Sequence, residues 1–263
     1  LTGIALIIGI VVSYRKRKAK GLMNVYPGYT KVLNEENIEI DGLQFKKTES
    51  IYGSGSDIVE IFPTYYGKII FANNILEYND YTVFSGHQGL LIGSGSWDYN
   101  QKIYVYNNIV YGVSNSSEYG ECYFTNTRAN TYFFNNTAYD CGGTAFFGVT
   151  DDQYGDTLAV NNISSNSGIG FNEEWDSASS NNISSDATAP GTDSLSSTTV
   201  LFMDETNNDF RLHPDDTSAR NAGTSTPMLP NGNTVYDIQG TLRGSAWDIG
   251  ADEVTTEYIS TIC

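Results

Sequence analysis

An all-β fold, a parallel β-helix in which one strand–corner–strand unit stacks on the next, follows from three observations on the sequence. First, a pair of asparagines recurs after a short apolar run: IIFANNI at 69–75, IYVYNNI at 103–109, TYFFNNT at 131–137, LAVNNIS at 158–164 and ASSNNIS at 178–184. The second asparagines are Asn74, Asn108, Asn136, Asn162 and Asn182, at steps of roughly 20 to 34 residues, the period of stacked supersecondary units. Second, the flanking runs alternate with period two and carry no helical pattern. Third, only 17% of the residues are charged while 19 are Tyr and 26 are Gly, as wide sheets with uncharged polar faces require. Asparagine suits the corner because it tolerates the left-handed backbone region and because its amide both donates and accepts. Equivalent asparagines one rung (~4.8 Å) apart are therefore expected to bond to each other as a structural ladder.

Taken in order, residues 1–37 hold an apolar/basic segment and the first rung or rungs. Residues 38–205 form the coil of about seven to nine rungs, residues 206–254 a C-terminal capping segment, and residues 255–263 a tail. The first 14 residues, LTGIALIIGIVVSY, are too few for a bilayer span of about 20. The basic run RKRKAK follows them, whereas a secretory signal carries its positive charge ahead of the apolar run. The numbering is thus expected to begin inside a longer protein. The β-branched residues at 7–12 favour strand over helix, and the segment is expected to need a partner surface because nothing else covers the first rung. Pro27-Gly28 marks a turn. IEIDGLQF at 38–45 opens the regular repeats, with Asp41-Gly42 at the corner. Ile69 and Phe71, Ile103 and Val105, and Phe133 point inward by alternation. LAVNNI reads as one residue shorter, which makes Leu158 and Val160 the inward pair after a register change. Residues 186–197, DATAPGTDSLSS, read as a low-complexity exit linker.

With 263 residues the chain has room for one elongated domain with an ample core. A net charge of −17 argues against nucleic acid and anionic membrane surfaces as partners, and a membrane is expected only through the N-terminal apolar segment. Three cysteines give no disulfide framework. Cys122 and Cys141 follow Asn108 and Asn136 at different distances, out of one column, and read as buried free thiols.

The asparagine ladder resembles that of the right-handed parallel β-helices of the pectate-lyase-like superfamily. The closing stretch, NDFRLHPDDTSARNAG followed by DIQGTLRGSAWDIGADE, resembles the end segment of secreted bacterial and archaeal β-helix proteins. The pattern is carried by Phe210, Leu212, Pro214, Ala219, Gly223, Asp237, Gly240, Arg243, Asp248, Ile249, Gly250, Ala251 and Glu253. Thr217 and Asn221 stand where the pattern has Ser and Asp. The resemblance implies a right-handed coil and an extracellular or cell-surface location. It leaves the chemistry open, because the superfamily holds lyases, hydrolases, esterases, tailspikes and adhesins.

A polyuronate lyase needs a cationic base and positive charge against the substrate carboxylate, and between Glu49 and Phe210 the only cations are Lys68, Lys102 and Arg128. A glycoside hydrolase needs two carboxylates across the scissile bond. SGHQGLLIGSGS at 85–96 is similar to the GHG-I-x-I-G-S stretch of polygalacturonases, with Gln88 inserted after His87 and the paired aspartates missing. His87 is the leading catalytic candidate, with Glu173 and Glu174 of the NEEWD loop. Trp175, Asp176 and Trp97 are carbohydrate-binding candidates, because a Trp face stacks on a sugar ring and carboxylates bond hydroxyls. The competing reading has Trp175 packed on the neighbouring rung. Asp151, Asp152 and Asp156 could hold calcium; no cofactor is otherwise required. Two classes follow: a structural or adhesive surface protein contacting polysaccharide or copies of itself, and a polysaccharide-degrading enzyme with its site on the long loops.

Overall fold

The computed structural model describes residues 4–7, 10–14, 23–26, 29–33, 37–47, 57–62, 68–78, 87–93, 101–113, 120–125, 127–148, 155–172, 174–226 and 236–255. These build an all-β chain of parallel strands in stacked sheets, an arrangement that fits a parallel β-helix. One turn reads Lys102–Tyr106, corner, Ile109–Tyr111, connection, Gly120–Thr125, after which Asn130–Phe134 begins the next. Each strand pairs in parallel with its equivalents before and after, so three sheets of five, eight and seven strands each take one strand per turn. Of the eight strands in the longest sheet, the six from Leu43–Lys47 to Ile183–Ser184 run parallel, fewer than the expected rungs. Towards the N-terminus two antiparallel pairs adjoin the coil. Ile4–Ile7 pairs with Ile10–Tyr14, which lies antiparallel against Leu43–Lys47. Met23–Tyr26 pairs with Tyr29–Leu33, which lies parallel to Val59–Phe62. The strand expectation for the N-terminal segment therefore holds, and two hairpins meet the sheet edges there.

The interior follows the alternation. In the five-stranded sheet Ile69, Ile103, Thr131 and Thr157 share one register position, and Phe71, Val105, Phe133 and Ala159 the next inward one. Phe71, Val105, Phe133 and Ala159 are all fully buried in the main core. The expected slip at residues 158–160 is corrected: Thr157 to Val160 match Thr131 to Phe134 residue for residue, so Ala159 points in. Leu158 and Val160 lie outside with Tyr104, Tyr106 and Phe134. The repeat is TLAVNN, of the same length as TYFFNN, and nothing forces a slip.

The left-handed backbone falls to the first residue of each pair and the continuous ladder to the second, although first asparagines also bond between rungs, Asn107 Nδ2 to Asn73 Oδ1 at 3.2 Å and Asn161 Nδ2 to Asn135 Oδ1 at 2.9 Å. The first (Asn73, Asn107, Asn135, Asn161, Asn181) has φ between 52° and 59°, the left-handed region. The second forms the ladder: Asn74, Asn108, Asn136 and Asn162 each donate Nδ2–H to the Oδ1 of the next, at 3.1, 3.0, 3.0 and 3.0 Å, ending on Asn182. The same Oδ1 atoms also accept the preceding rung's backbone N–H at 2.9–3.1 Å. Each amide from Asn74 to Asn182 then reaches back to a backbone carbonyl, such as Phe71 O from Asn108. All five ladder residues are fully buried, and all are satisfied.

Cys122 and Cys141 form a disulfide with their Cα atoms 5.7 Å apart, which corrects the free-thiol expectation. The two do not share a register column: the Tyr111–Tyr139 pairing sets Cys141 level with Val113 and the Tyr123–Phe146 pairing sets Cys122 level with Ala145, so the bond forms across the connection between two sheets and not along a column. Gly142 N–H bonds to Val113 O and Gly143 N–H to Gly120 O, so the turn closes as if 113 were joined to 120. Both cysteines lie in the main core. For a loop of this length the chain-entropy estimate is about 3 kcal/mol. Cys122→Ser/Cys141→Ser should lower the unfolding free energy by roughly that amount in denaturant titrations, and reductant should have no effect on the folded chain until it opens.

Residues 186–197 do not form a plain linker. Thr192 bridges Ser180 and Leu195 bridges Ile183, both in parallel, as a last partial turn.

The described part of the closing segment runs back along the flank of the coil. Phe202–Asp204 and Asp209–Leu212 form an antiparallel pair, and Phe202, Phe210 and Leu212 pack with Ile249 and Ala251 on the outer side chains Ile109, Tyr111, Ile163 and Ile183. Phe210 meets the Tyr111 and Tyr139 rings at 4.9 and 4.5 Å between centroids. The first asparagines hold the strap along the corner: Asn181 donates to Ala222 O, Asn161 to Thr224 O and Asn107 to Tyr236 O, at 3.0, 2.7 and 2.7 Å.

The end-segment pattern now has physical content. Gly240 and Gly250 have φ of 86° and 99°, and a Cβ at Gly250 would come within 2.5 Å of Ile163 Cδ1. Asp237 accepts from the N–H of Gln239 and Thr241, and Asp248 from those of Asn221 and Val254. Buried Asp252 accepts from Leu212 N–H and Gln239 Nε2, and burial pushes its carboxyl up to about 6. A folded-state value above the ordinary one means that folding takes up a proton between about pH 4 and about pH 6. That contribution is fully present at the acid end of the window and is lost as pH rises through 6. Melting in that range should rise as pH falls, and Asp252→Asn should flatten the slope.

Candidate functional site

The corners differ in a way that singles out one face. The connection between the five- and eight-stranded sheets is a single residue, Gly42, in the first turn and two asparagines in each later one, and the strap occupies its flank. The connections on either side of the seven-stranded sheet vary widely: residues 140–143 before Thr144–Phe147 and 166–168 before Ile169–Asn172 are short, whereas residues 79–86, 112–119 and 93–101 are long. The outer face of the seven-stranded sheet is thus the regular surface bordered by the chain's variable loops, the place where a scaffold carries function.

Its outward column runs Glu60, Leu91, Phe124, Phe147, Asn172 in register. Leu90, Ile92, Tyr123, Phe146 and Phe171 face the core instead. Leu91, Phe124 and Phe147 are half-buried, and the Phe124 and Phe147 rings stack at 4.7 Å with 25° between their planes. Three residues earlier on the same two strands is a polar pair: Gln88 Nε2 donates to Glu121 Oε2 at 3.1 Å, while Asp57 Oδ1 accepts Gln88 N–H at 2.8 Å. Burial pushes the Glu121 carboxyl above its ordinary value, partly offset by its own backbone N–H and by the Gln88 amide. An aromatic strip flanked by a partly desolvated carboxyl and an amide matches a sugar ring, which offers an apolar face and a rim of hydroxyls.

Of the sequence candidates, His87 stands at the start of the strand His87–Ile92, in register with Gly120 and next to Gln88. Gln88, the apparent insertion, takes the register position opposite Glu121. Glu173, Trp97, Asp151 and Asp152 lie outside the described residues. Glu174 is exposed. Trp175 follows the packing alternative: its ring is edge-on to Phe133 and Phe171 at 6.1 and 5.6 Å, and any Cβ at Gly148 would meet it at 2.9 Å. Asp176 Oδ1 accepts Ala178 N–H in a local turn, and its own N–H bonds to Thr157 O. Asp156 is exposed, its N–H held by Asn130 Oδ1. Among the described residues no group of three metal-ligating side chains converges.

Sequence reasoning missed Glu121, Phe124 and Phe147. The signal was present: HQGLLI, GECYFT and TAFF are consecutive strands of one sheet, but loops of unequal length hide their common register. A second hollow, of about 430 Å³, lies between the strap and the first turns near Asp41, Asn73, Ile75 and Gln239. Asp41 there accepts from Asn73 Nδ2. Compared with known protein families, with curated proteins and with solved structures, the chain gives no match.

Proposed function

We propose that the chain is an extracellular or cell-surface protein with a structural or adhesive role, which contacts glycan through the outer face of its seven-stranded sheet. We further read the coil as right-handed, of the pectate-lyase-like type, with the end segment of secreted β-helix proteins. The observation that carries the glycan reading is the stacked Phe124–Phe147 strip beside the Gln88–Glu121 pair. The Cys122–Cys141 bond supports an oxidising compartment. Three linked sheets and a buried amide ladder supply a stiff platform on which such a face needs no ordering before it binds.

A glycan array with neutral and mildly acidic plant, algal and microbial polysaccharides tests the reading. Binding to a subset is expected, with Phe124→Ala weakening it at least tenfold, about 1.4 kcal/mol, and Glu174→Gln leaving it unchanged. An array on which the wild type retains nothing would retire the proposal. The raised carboxyl of Glu121 favours the alternative, a polysaccharide-degrading enzyme in which it serves as general acid. Reducing-end release from a bound glycan, lost in Glu121→Gln with binding retained, would establish that alternative; binding without release would leave the adhesive one.

A further inference from the structure

The last partial turn of the coil follows the final strands of the parallel sheets. Ile169–Asn172 is the final strand of the seven-stranded sheet. Two of its backbone N–H groups bond to side chains of the next layer instead of to a strand: Gly170 to Asp186 Oδ2 at 3.1 Å and Phe171 to Thr188 Oγ1 at 2.9 Å. Asp186 is itself fixed, accepting from the Ser184 and Thr188 hydroxyls and from Thr188 N–H. Gly170 lets the carboxylate approach, since a Cβ there would lie 1.9 Å from Ser184 Oγ.

The other two sheets end differently. Their last contacts are the single bridging residues Thr192 and Leu195. Around these, Gly191, Asp193 and Ser197 have φ of 90°, 55° and 53°, so the backbone cannot present an extended edge. Pro190 has no N–H to offer, and its carbonyl is taken by Asn182 Nδ2 and Ser194 Oγ. The asparagine ladder stops there too. Ser194 Oγ accepts Asn182 N–H at 3.0 Å, and a hydroxyl has no second amide proton to pass on.

We propose that residues 186–197 are a terminator: side chains that imitate the next strand, and a broken backbone, keep this end of the sheets from pairing with a second copy of the chain. An open coil end templates addition of another strand, so a coil ending on a bare Ile169–Asn172 edge would grow end to end. The partner that the terminator excludes is thus an identical chain.

The test is light scattering over a concentration series on the whole chain and on Asp186→Ala/Thr188→Val, which deletes both acceptors of the Gly170 and Phe171 N–H groups. The wild type is expected to hold one mass throughout, and the variant to reach at least twice that mass with its β-sheet circular dichroism kept. If the double variant fails to fold, Thr188→Val alone, which changes little in shape, carries the test by the same rise in mass. A folded variant whose mass stays that of the wild type, or a wild type whose own mass climbs with concentration, overturns the proposal.

Discussion

Replacing Asn136 by leucine is expected to lower the unfolding free energy by about 4 kcal/mol, among the largest effects of any single substitution in the coil. Leucine is close to asparagine in size, so the loss comes from hydrogen bonds. Asn108 N–H and Nδ2 both donate to Asn136 Oδ1, at 3.1 and 3.0 Å, and both are fully buried. Val105 O and Asn162 Oδ1 lose the Asn136 Nδ2 donor. Each group left unpaired away from water costs about 1–3 kcal/mol, and relaxation keeps the sum below the arithmetic total. The effect should depend on position. At Asn182 the neighbours include Ser194 and Pro190 at the partly exposed last turn, so the same change should cost less. The first asparagine of a pair should behave differently again: Asn135→Gly keeps the φ of 52° without strain and loses only the Oδ1 acceptor of Asn161 Nδ2, which still has Thr224 O, whereas Asn135→Ala should cost about 1–2 kcal/mol more. Urea titrations of the four variants decide whether ladder and backbone roles are separate. Equal losses at Asn135 and Asn136 would show that they are not.

The repeat that announced the fold was legible because its corner has constant length and a constant demand: one left-handed residue and one buried amide per turn. No other residue type meets both as well, so the pairs stand out against any loop sequence. The register of the five-stranded sheet was legible for the same reason, and the slip proposed for residues 158–160 arose from starting the count at Leu158 instead of Thr157. The seven-stranded sheet was not legible. Its strands begin at different distances from the asparagines, and HQGLLI, GECYFT and TAFF share no residue type that alignment by eye would catch. The candidate site sits there, which is why attention fell on loop residues such as Trp175 while Glu121 and Phe124 passed unnoticed. The disulfide was hidden because it joins two different register positions across a connection, where counting along one column finds no partner. The end segment was legible as a motif but not as a placement: Gly240, Gly250 and the Asx turns at Asp237 and Asp248 specify a local backbone path, and say nothing of which surface that path covers.

That surface is fixed by one buried cation, and its removal is the second large effect expected. Arg243 has no exposed side-chain surface; it donates to Glu253 Oε2 at 3.1 Å, to the carbonyls of Asp248 and Gly250, and to Asn107 Oδ1 of the corner at 3.2 Å. It also lies 5.5 Å from the centre of the Trp247 ring. Asp237, Asp248, Asp252 and Glu253 all surround this positive charge, and burial raises the carboxyls of the last three. Arg243→Met should therefore cost about 3–5 kcal/mol, the usual consequence of leaving a buried carboxylate without its cation. The loss should appear first in the strap, as faster proteolysis within residues 199–254, with the core of the coil following at higher denaturant. Removing the stranded charge as well, in Arg243→Met/Glu253→Leu, should recover part of the stability, because two apolar side chains in contact leave no ion to desolvate. The strap would still lack its bond to Asn107, so recovery should be incomplete, and acid should help the single variant more than the double one. If the double variant is no more stable than Arg243→Met at neutral pH, the strap is held by its apolar packing on Ile109, Tyr111 and Ile163 and not by the ion pair.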